Sequence, residues 1–324
     1  MRVLLWHVHG AWTSAFVRGT HDYLVPVTPD RGPYGLGRAR TYDWPATVRE
    51  VTPSQVGTEE VDVVVLQRPE ELELAERWLR RRVGRDVPAV YVEHRAPAGG
   101  VPETRHPLAD RDDLRIVHVT HFNALFWDTG STRTTVVEHG VPQPAVRYTG
   151  ELPRLGAAIN EPVRRLRVCG ADLLPRFAEV APVDLYGIGA GALPARLGLP
   201  ADRLRVVEDP PQAQLHRQLA RRRAYLHPYR WTSLGLSLIE AMAMGVPVVA
   251  LATTEAVTAV PAGAGVLSTN VADLVAAARW LCDDPPAARA LGEAGRRAAL
   301  ARYGLDRFLA DWDRVLEEEA CGSR

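Results

Sequence analysis

The chain contains no lysine: each of its 39 basic residues is arginine. That excludes a lysine nucleophile, a Schiff base and the lysine of a P-loop. The bias itself reads as that of a GC-rich genome. Cysteine is nearly absent too. Cys169, Cys282 and Cys321 lie far apart with no CxxC pair, which excludes a zinc knuckle and a disulfide scaffold. A reducing, cytosolic setting is the simpler reading. Net charge is absent, since 39 Asp and Glu balance the arginines. A chain with no surplus positive charge is poorly suited to nucleic acid. Long apolar runs are missing as well. Val3–Trp6 stops at His7, too short for a signal peptide or a membrane span, which leaves at most peripheral membrane contact.

What remains is an ordinary globular composition, 46% hydrophobic and 24% charged, over 324 residues. At about 150 residues per domain this favours two domains. Short β-branched runs alternate with helical patterns. Strands are expected at Val3–Trp6, Val61–Leu66, Val87–Val92, Ile116–Val119 and Thr134–Val137, and then at Leu166–Cys169, Val183–Tyr186, Leu204–Val207, Ala224–Leu226 and Val246–Leu251. Helices are expected at Leu72–Arg82, Phe122–Trp127, Gln212–Arg222, Leu234–Met244, Val271–Leu281, Ala287–Arg302 and Leu305–Glu319. Near-continuous apolar strands separated by helices indicate an α/β protein with parallel sheets covered on both faces. With about five strands in each half, two doubly wound, Rossmann-like domains follow. Pro142–Pro162, rich in Pro and Gly, is the expected boundary, giving domains at 1–150 and 151–304. The last helix, in 305–324, repeats apolar residues at Leu305, Phe308, Leu309, Trp312, Val315 and Leu316, a docking stripe. Gly32–Pro45 interleaves Tyr34, Tyr42 and Trp44 with Gly and Pro. It reads either as a mobile lid or as an irregular loop whose aromatics pack on the domain.

The chemistry concentrates between His227 and Leu251, which reads as loop, helix, tight turn and strand. Thr232 or Ser233 is the expected helix cap, and Gly245 ends the helix before Pro247. The amides of Leu234, Gly235 and Leu236 at the helix start, with the helix dipole, suit a diphosphate. Glu240 is the only charge between Trp231 and Glu255. A lone carboxylate in an apolar helix requires hydrogen-bond donors. It follows Ser233 by seven residues, nearly two turns and about 10 Å along the axis. Ribose hydroxyls of a nucleotide would reach it from there, and a nearby backbone amide would serve equally well.

This stretch resembles the nucleotide-sugar motif of retaining GT-B glycosyltransferases, the group 1 or family-four kind. The match runs through Ser233-Leu234-Gly235 and Glu240-Ala241-Met242-Ala243-Met244-Gly245-Val246-Pro247-Val248-Val249. His7-x-His9-Gly10 occupies the place of a glycine-containing loop, and Val90–His94 that of a strand ending in a site histidine. Glu138-His139-Gly140-Val141-Pro142 resembles the family's close of its N-terminal domain. The resemblance implies a GT-B fold, two Rossmann-like domains facing a central cleft, with the final helix crossing back to the first. It implies a nucleoside diphosphate sugar bound by the C-terminal domain and an acceptor bound by the N-terminal one. It also implies transfer with retention, without metal or other cofactor. The expected catalytic residues are His94, His9 and Thr232. Donor binding falls to Gly10, Arg176, Arg230, Ser233, Leu234, Gly235, Leu236 and Glu240. The acceptor side takes Tyr34, Trp44 and His121.

Two departures stand out. The family's first Glu falls on Thr232, eight residues before Glu240, so an uncharged residue replaces a sugar-contacting carboxylate. Relatives also carry Arg and Lys just after the first strand of the C-terminal domain. Taken after Leu166–Cys169, only Arg176 lies near that place, with Arg230 a second cation. Among the 10 histidines, His118, His121 and His139 either line the cleft or cap strands, His216 reads as a helix-surface residue and His227 as structural. His7 and His9 share a strand face, but no Asp, Glu or Cys nearby completes a metal set. No Gly-x-Gly-x-x-Gly opens the first helix and no Gly-x-Ser-x-Gly exists, so an NAD site and a hydrolase elbow are unsupported. A nonhydrolysing nucleotide-sugar epimerase and a catalytically degenerate nucleotide-binding protein stand as rival readings.

Overall fold

A computed structural model describes residues 1–322. The chain divides into two compact units, Met1–Val141 with the segment from Leu305 onward, and Pro142–Gly304. The first unit holds seven parallel strands: β1 (Arg2–Leu5), β2 (Asp22–Pro26), β3 (Val48–Val51), β4 (Val63–Leu66), β5 (Ala89–Glu93), β6 (Arg115–His118) and β7 (Arg133–Val136). Its helices are α1 (Gly10–Phe16), α2 (Pro53–Val56), α3 (Glu70–Leu79) and α4 (His121–Phe126). The second unit holds β8 (Leu152–Ala158), β9 (Val183–Gly187), β10 (Leu204–Glu208), β11 (Arg222–His227), β12 (Val248–Leu251) and β13 (Val266–Ser268). Its helices are α5 (Leu174–Ala178), α6 (Leu193–Leu197), α7 (Gln212–Leu219), α8 (Leu236–Met244), α9 (Ala256–Ala259), α10 (Val271–Asp283) and α11 (Pro285–Tyr303). The last helix, α12 (Leu305–Gly322), belongs to the first unit.

The strand orders are β3-β2-β1-β4-β5-β6-β7 and β10-β9-β8-β11-β12-β13. Both reverse direction once, between β1 and β4 and between β8 and β11. In open parallel sheets ligands bind at such reversals, outside the carboxyl ends of the strands. The central strands are apolar on both faces; Val63, Val64, Val65 and Leu66 are all fully buried. α12 lays its apolar stripe on α1: the Trp312 ring meets Trp12 at 5.5 Å and Phe16 at 5.1 Å, both edge-on.

Four strands depart from the expected set. The sequence reading placed the first strand of the second unit at Leu166–Cys169, where the structure has turns. That strand is β8, inside the segment expected to be a linker. Pro153 and Gly156 disguise it, and a register shift between Arg222 and Ala224 of β11 lies opposite Pro153. β2, β3 and β13 are unexpected too, making seven and six strands among the described residues rather than five each. No described helix is long and apolar enough to cross a membrane.

Candidate functional site

The loops after β8 and β11 flank the reversal point of the second sheet, and they touch. Gly170 sits at φ +70°, and a Cβ there would overlap the Pro228 carbonyl. Only glycine satisfies both the left-handed backbone and the close approach. Beyond Pro228, α8 starts two residues later than expected. Its cap is Gly235, with no side-chain hydrogen bond. The cap position thus falls on neither Thr232 nor Ser233, the two residues expected to hold it. Ser233 and Leu234 are buried, and Thr232, Gly235 and Leu236 half-buried. A Cβ on Gly235 would stand 2.5 Å from the His227 ring. Glycine therefore lets the uncapped helix start lie flat on the end of β11. Burial pushes His227 down to about 3, so the ring beneath the helix is neutral.

Glu240 lies one turn into α8 and is only 7% exposed. Its Oε1 accepts from Gln212 Nε2 at 2.7 Å. His216 Nε2 approaches Oε2 at 3.4 Å, an ion-pair distance without hydrogen-bond geometry. His216 is thus no surface histidine, as the sequence suggested, but a partner of the lone carboxylate. Nothing in the sequence signalled this, because the pairing joins two helices.

The arginines rearrange as well. Arg230 donates bidentately to Asp172 at 2.6 and 2.9 Å and to the Arg167 carbonyl at 2.6 Å. The fork expected for a diphosphate is therefore engaged by Asp172. Arg176 is exposed on α5. With β8 as the first strand, the loop just after it carries Arg164, Arg165 and Arg167 instead. Arg164 pairs with Glu161 and is exposed, whereas Arg165 is half-buried near Cys169 and Tyr229. The miscalled strand hid these residues.

In the first unit, His9 follows β1, His94 follows β5 and His139 follows β7. The His9 and His94 ring centroids are 4.0 Å apart, and Trp12 meets His94 edge-on at 5.0 Å. Burial, then Arg95 and Arg68, lower His9 to about 4. Burial, then His9 and Arg307, lower His139 to about 3. His94 is held well below its usual value, by burial and then by His9. All three are neutral imidazoles at pH 7. His94 Nε2 and His139 Nδ1 are buried without a partner. The His94 loop is pinned from below: Glu93 accepts from His106 Nε2 at 3.0 Å and from the Arg95 amide at 2.6 Å. Gly10, at the head of α1, lies under Tyr42, whose ring edge would be 2.7 Å from a Cβ. His118 is fully buried in β6 and lowered by burial to about 4, a core residue rather than a site one.

The acceptor-side expectations fare unevenly. His121 is exposed at the start of α4. Tyr34 is half-buried under the Arg68 guanidinium, 4.3 Å from the ring centre. Trp44 is only 5% exposed and its ring abuts His7 at 5.0 Å, so it offers no free face to a sugar. The 32–45 segment is tied down by hydrogen bonds within its domain. Arg38 donates to the Trp44 and Pro45 carbonyls at 2.7 and 3.1 Å, and Glu50 accepts from Arg31 and from the Arg38 amide. The loop is thus strapped to its domain, and Trp44 packs inward. Among the described residues, no three His, Cys, Asp or Glu side chains gather as metal ligands would.

Residues 144–284 match the family model described as glycosyl transferases group 1. No curated protein matches the chain. Solved structures resemble it along its whole length at low identity. Sucrose-phosphate synthase from Thermosynechococcus elongatus is similar with a TM-score of 0.76, 14% identity and 100% of both chains covered. HepE of Anabaena, in complex with UDP, is similar with a TM-score of 0.69, 16% identity, and 98% of this chain and 99% of that one covered. A glycosyltransferase from Rickettsia africae is similar with a TM-score of 0.69, 12% identity, and 100% and 99% covered. Residues 144–284 thus belong to the glycosyl transferases group 1 family, within a GT-B fold that runs the length of the chain, and the protein is a glycosyltransferase.

Proposed function

We propose that the enzyme transfers a sugar from a nucleoside diphosphate sugar to an acceptor hydroxyl, with retention of configuration and without a metal ion. The observation that carries this reading is the uncapped start of α8 at the reversal of the second sheet, one turn from the buried Glu240. Leu236 and its neighbours offer backbone amides to the diphosphate, and Glu240 takes the ribose hydroxyls. Arg165 takes the place expected of Arg176 as the cation after the first strand, and Arg230 joins it by leaving Asp172. HepE, which shares the fold, has been solved with UDP-glucose, which makes that compound the first donor to test.

Catalysis then rests on position and electrostatics. A donor phosphate oxygen takes the acceptor proton on the face from which the diphosphate leaves. Helix amides and arginines stabilise the departing charge. His94 and His9, both neutral, hydrogen-bond sugar hydroxyls, with Gly10 allowing the close approach. Thr232 bonds the transferred sugar where relatives use a carboxylate. Tyr34 and His121 stand on the acceptor side, and Trp44 supports His7. The test is a panel of nucleotide sugars and acceptors in the presence of EDTA, with the product anomer read by proton NMR. Activity is expected to survive EDTA and the anomeric configuration to match the donor. Inversion, or loss of activity on chelation, would overturn the reading.

A further inference from the structure

We infer that Gln212 and His216 are positioning residues for Glu240, and that through it they set a preference for ribose over deoxyribose. The inference rests on the proposed donor site, where Glu240 receives the ribose. Gln212 is the first residue of α7 and His216 lies four later, so both project from one face of that helix. That face meets α8 at Glu240. Oε1 already accepts from the Gln212 carboxamide at 2.7 Å, and His216 Nε2 stands 3.4 Å from Oε2.

The consequence follows from counting acceptor positions. An ionised carboxylate has about four lone-pair sites. Gln212 takes one on Oε1. His216, with its proton on Nε2, faces a second on Oε2. Two remain, one on each oxygen, which is what the vicinal hydroxyls of a ribose require. The pair also fixes the plane of a carboxylate that would otherwise rotate about its last side-chain bond. His216 is the looser partner, since its approach lacks hydrogen-bond geometry. Removing it should therefore matter less than removing Gln212. A carboxylate without its α7 donors would still attract a hydroxyl, but with no preferred orientation for two.

The experiment is calorimetric titration of the full chain with UDP and GDP, each beside its 2′-deoxy counterpart. The wild type is expected to favour the ribonucleotide by about tenfold, the order of one hydrogen bond to a charged group. Gln212→Leu should bring that ratio toward one by weakening the ribonucleotide, leaving deoxynucleotide affinity within about twofold. His216→Phe should do so in part. His216→Gln, which keeps an N–H donor, should restore the ratio. Gln212→Asn, whose donor is withdrawn by one methylene, gives the same reading should the leucine variant fail to fold. Equal weakening of ribo- and deoxynucleotide would show that the pair merely packs α7 on α8, and would overturn the inference. A ratio that collapses in Glu240→Gln but survives Gln212→Leu and His216→Phe overturns it too, leaving the donor site standing. A wild type with no ribose preference, or a Glu240→Gln variant that keeps it, removes the role of Glu240 itself and the inference with it.

Discussion

The two sheets run through the same strand order up to the seventh strand of the first, yet their carboxyl edges carry opposite chemistry. The first edge gathers neutral imidazoles, His9, His94 and His139, each lowered chiefly by burial. The second gathers an uncapped helix start, an arginine-bearing loop and one buried carboxylate that accepts from Gln212 and faces His216. Topology therefore marks the edge of each sheet where a ligand can sit, and side chains decide which chemical group suits that edge. A phosphate-rich group matches the second edge. Uncharged hydroxyls match the first, where neutral imidazoles offer hydrogen bonds rather than charge.

The sharpest way to break this contrast is at Gly235. Gly235→Val puts branched carbon against His227, already 2.5 Å from the first added atom, and covers the helix start. Nucleoside diphosphate affinity should fall by about 100-fold, as the amides at the helix start lose a charged ligand. His227→Ala in that background should recover thermal stability but little binding. Unchanged affinity in a folded Gly235→Val would remove the phosphate from the second edge.

His94→Ala tests the other edge. Turnover should drop by about 100-fold, the order expected when a reacting sugar is mispositioned. Affinity for the nucleoside diphosphate should stay within about twofold, because the contacts proposed for it lie in the second unit. Equal loss of both would mean the two edges are not chemically separate.

Acid should separate the units as well. Five imidazoles of the first unit, His7, His9, His94, His118 and His139, are lowered from 6.5 chiefly by burial, against His227 in the second. A histidine with a depressed folded value favours the native state above pH 6.5. That contribution is lost as pH falls from there toward about 4, at about 1.4 kcal/mol per pH unit for each ring. The first unit should therefore open first. Trp6, Trp12, Trp44, Trp78, Trp127 and Trp312 lie in it, so tryptophan fluorescence reports mainly on that event. His118→Leu should move the midpoint to lower pH, since it removes one ring whose nitrogens have no partner. Hydrogen exchange showing both units opening at one pH would contradict this.

The contrast was only half legible in the sequence. The isolation of Glu240 marked it as needing donors, and the end of a β-branched run marked His94. Continuous valine runs such as Val63–Val65 announced their strands. β8 did not, because Pro153 and Gly156 are the residues that normally punctuate loops. Missing it moved the expected cation from Arg165 to Arg176. Gln212, His216 and the Arg230–Asp172 pair were invisible for another reason. They join residues 28, 24 and 58 positions apart (240−212, 240−216 and 230−172), and no local period encodes such pairings.

The smallest expected effects lie among the arginines, and they sharpen the second edge. Arg165 is half-buried in the loop after β8, whereas Arg176 is exposed on α5. Arg165→Ala should weaken nucleoside diphosphate binding by about tenfold, and Arg176→Ala by no more than about twofold, since an exposed charge is screened by water and salt. Arg230 is the more informative case, because Asp172 already holds it bidentately. Should the guanidinium swing to the diphosphate, binding must first break that pair. Asp172→Asn would then release Arg230 and improve affinity by about two- to threefold, a few tenths of a kcal/mol from a partly exposed pair. Should Arg230 instead only brace the loop, Asp172→Asn would loosen the Gly170–Pro228 contact and lower affinity. The sign of that one change, measured by calorimetry with UDP at fixed salt, decides whether the second edge presents one cation or two.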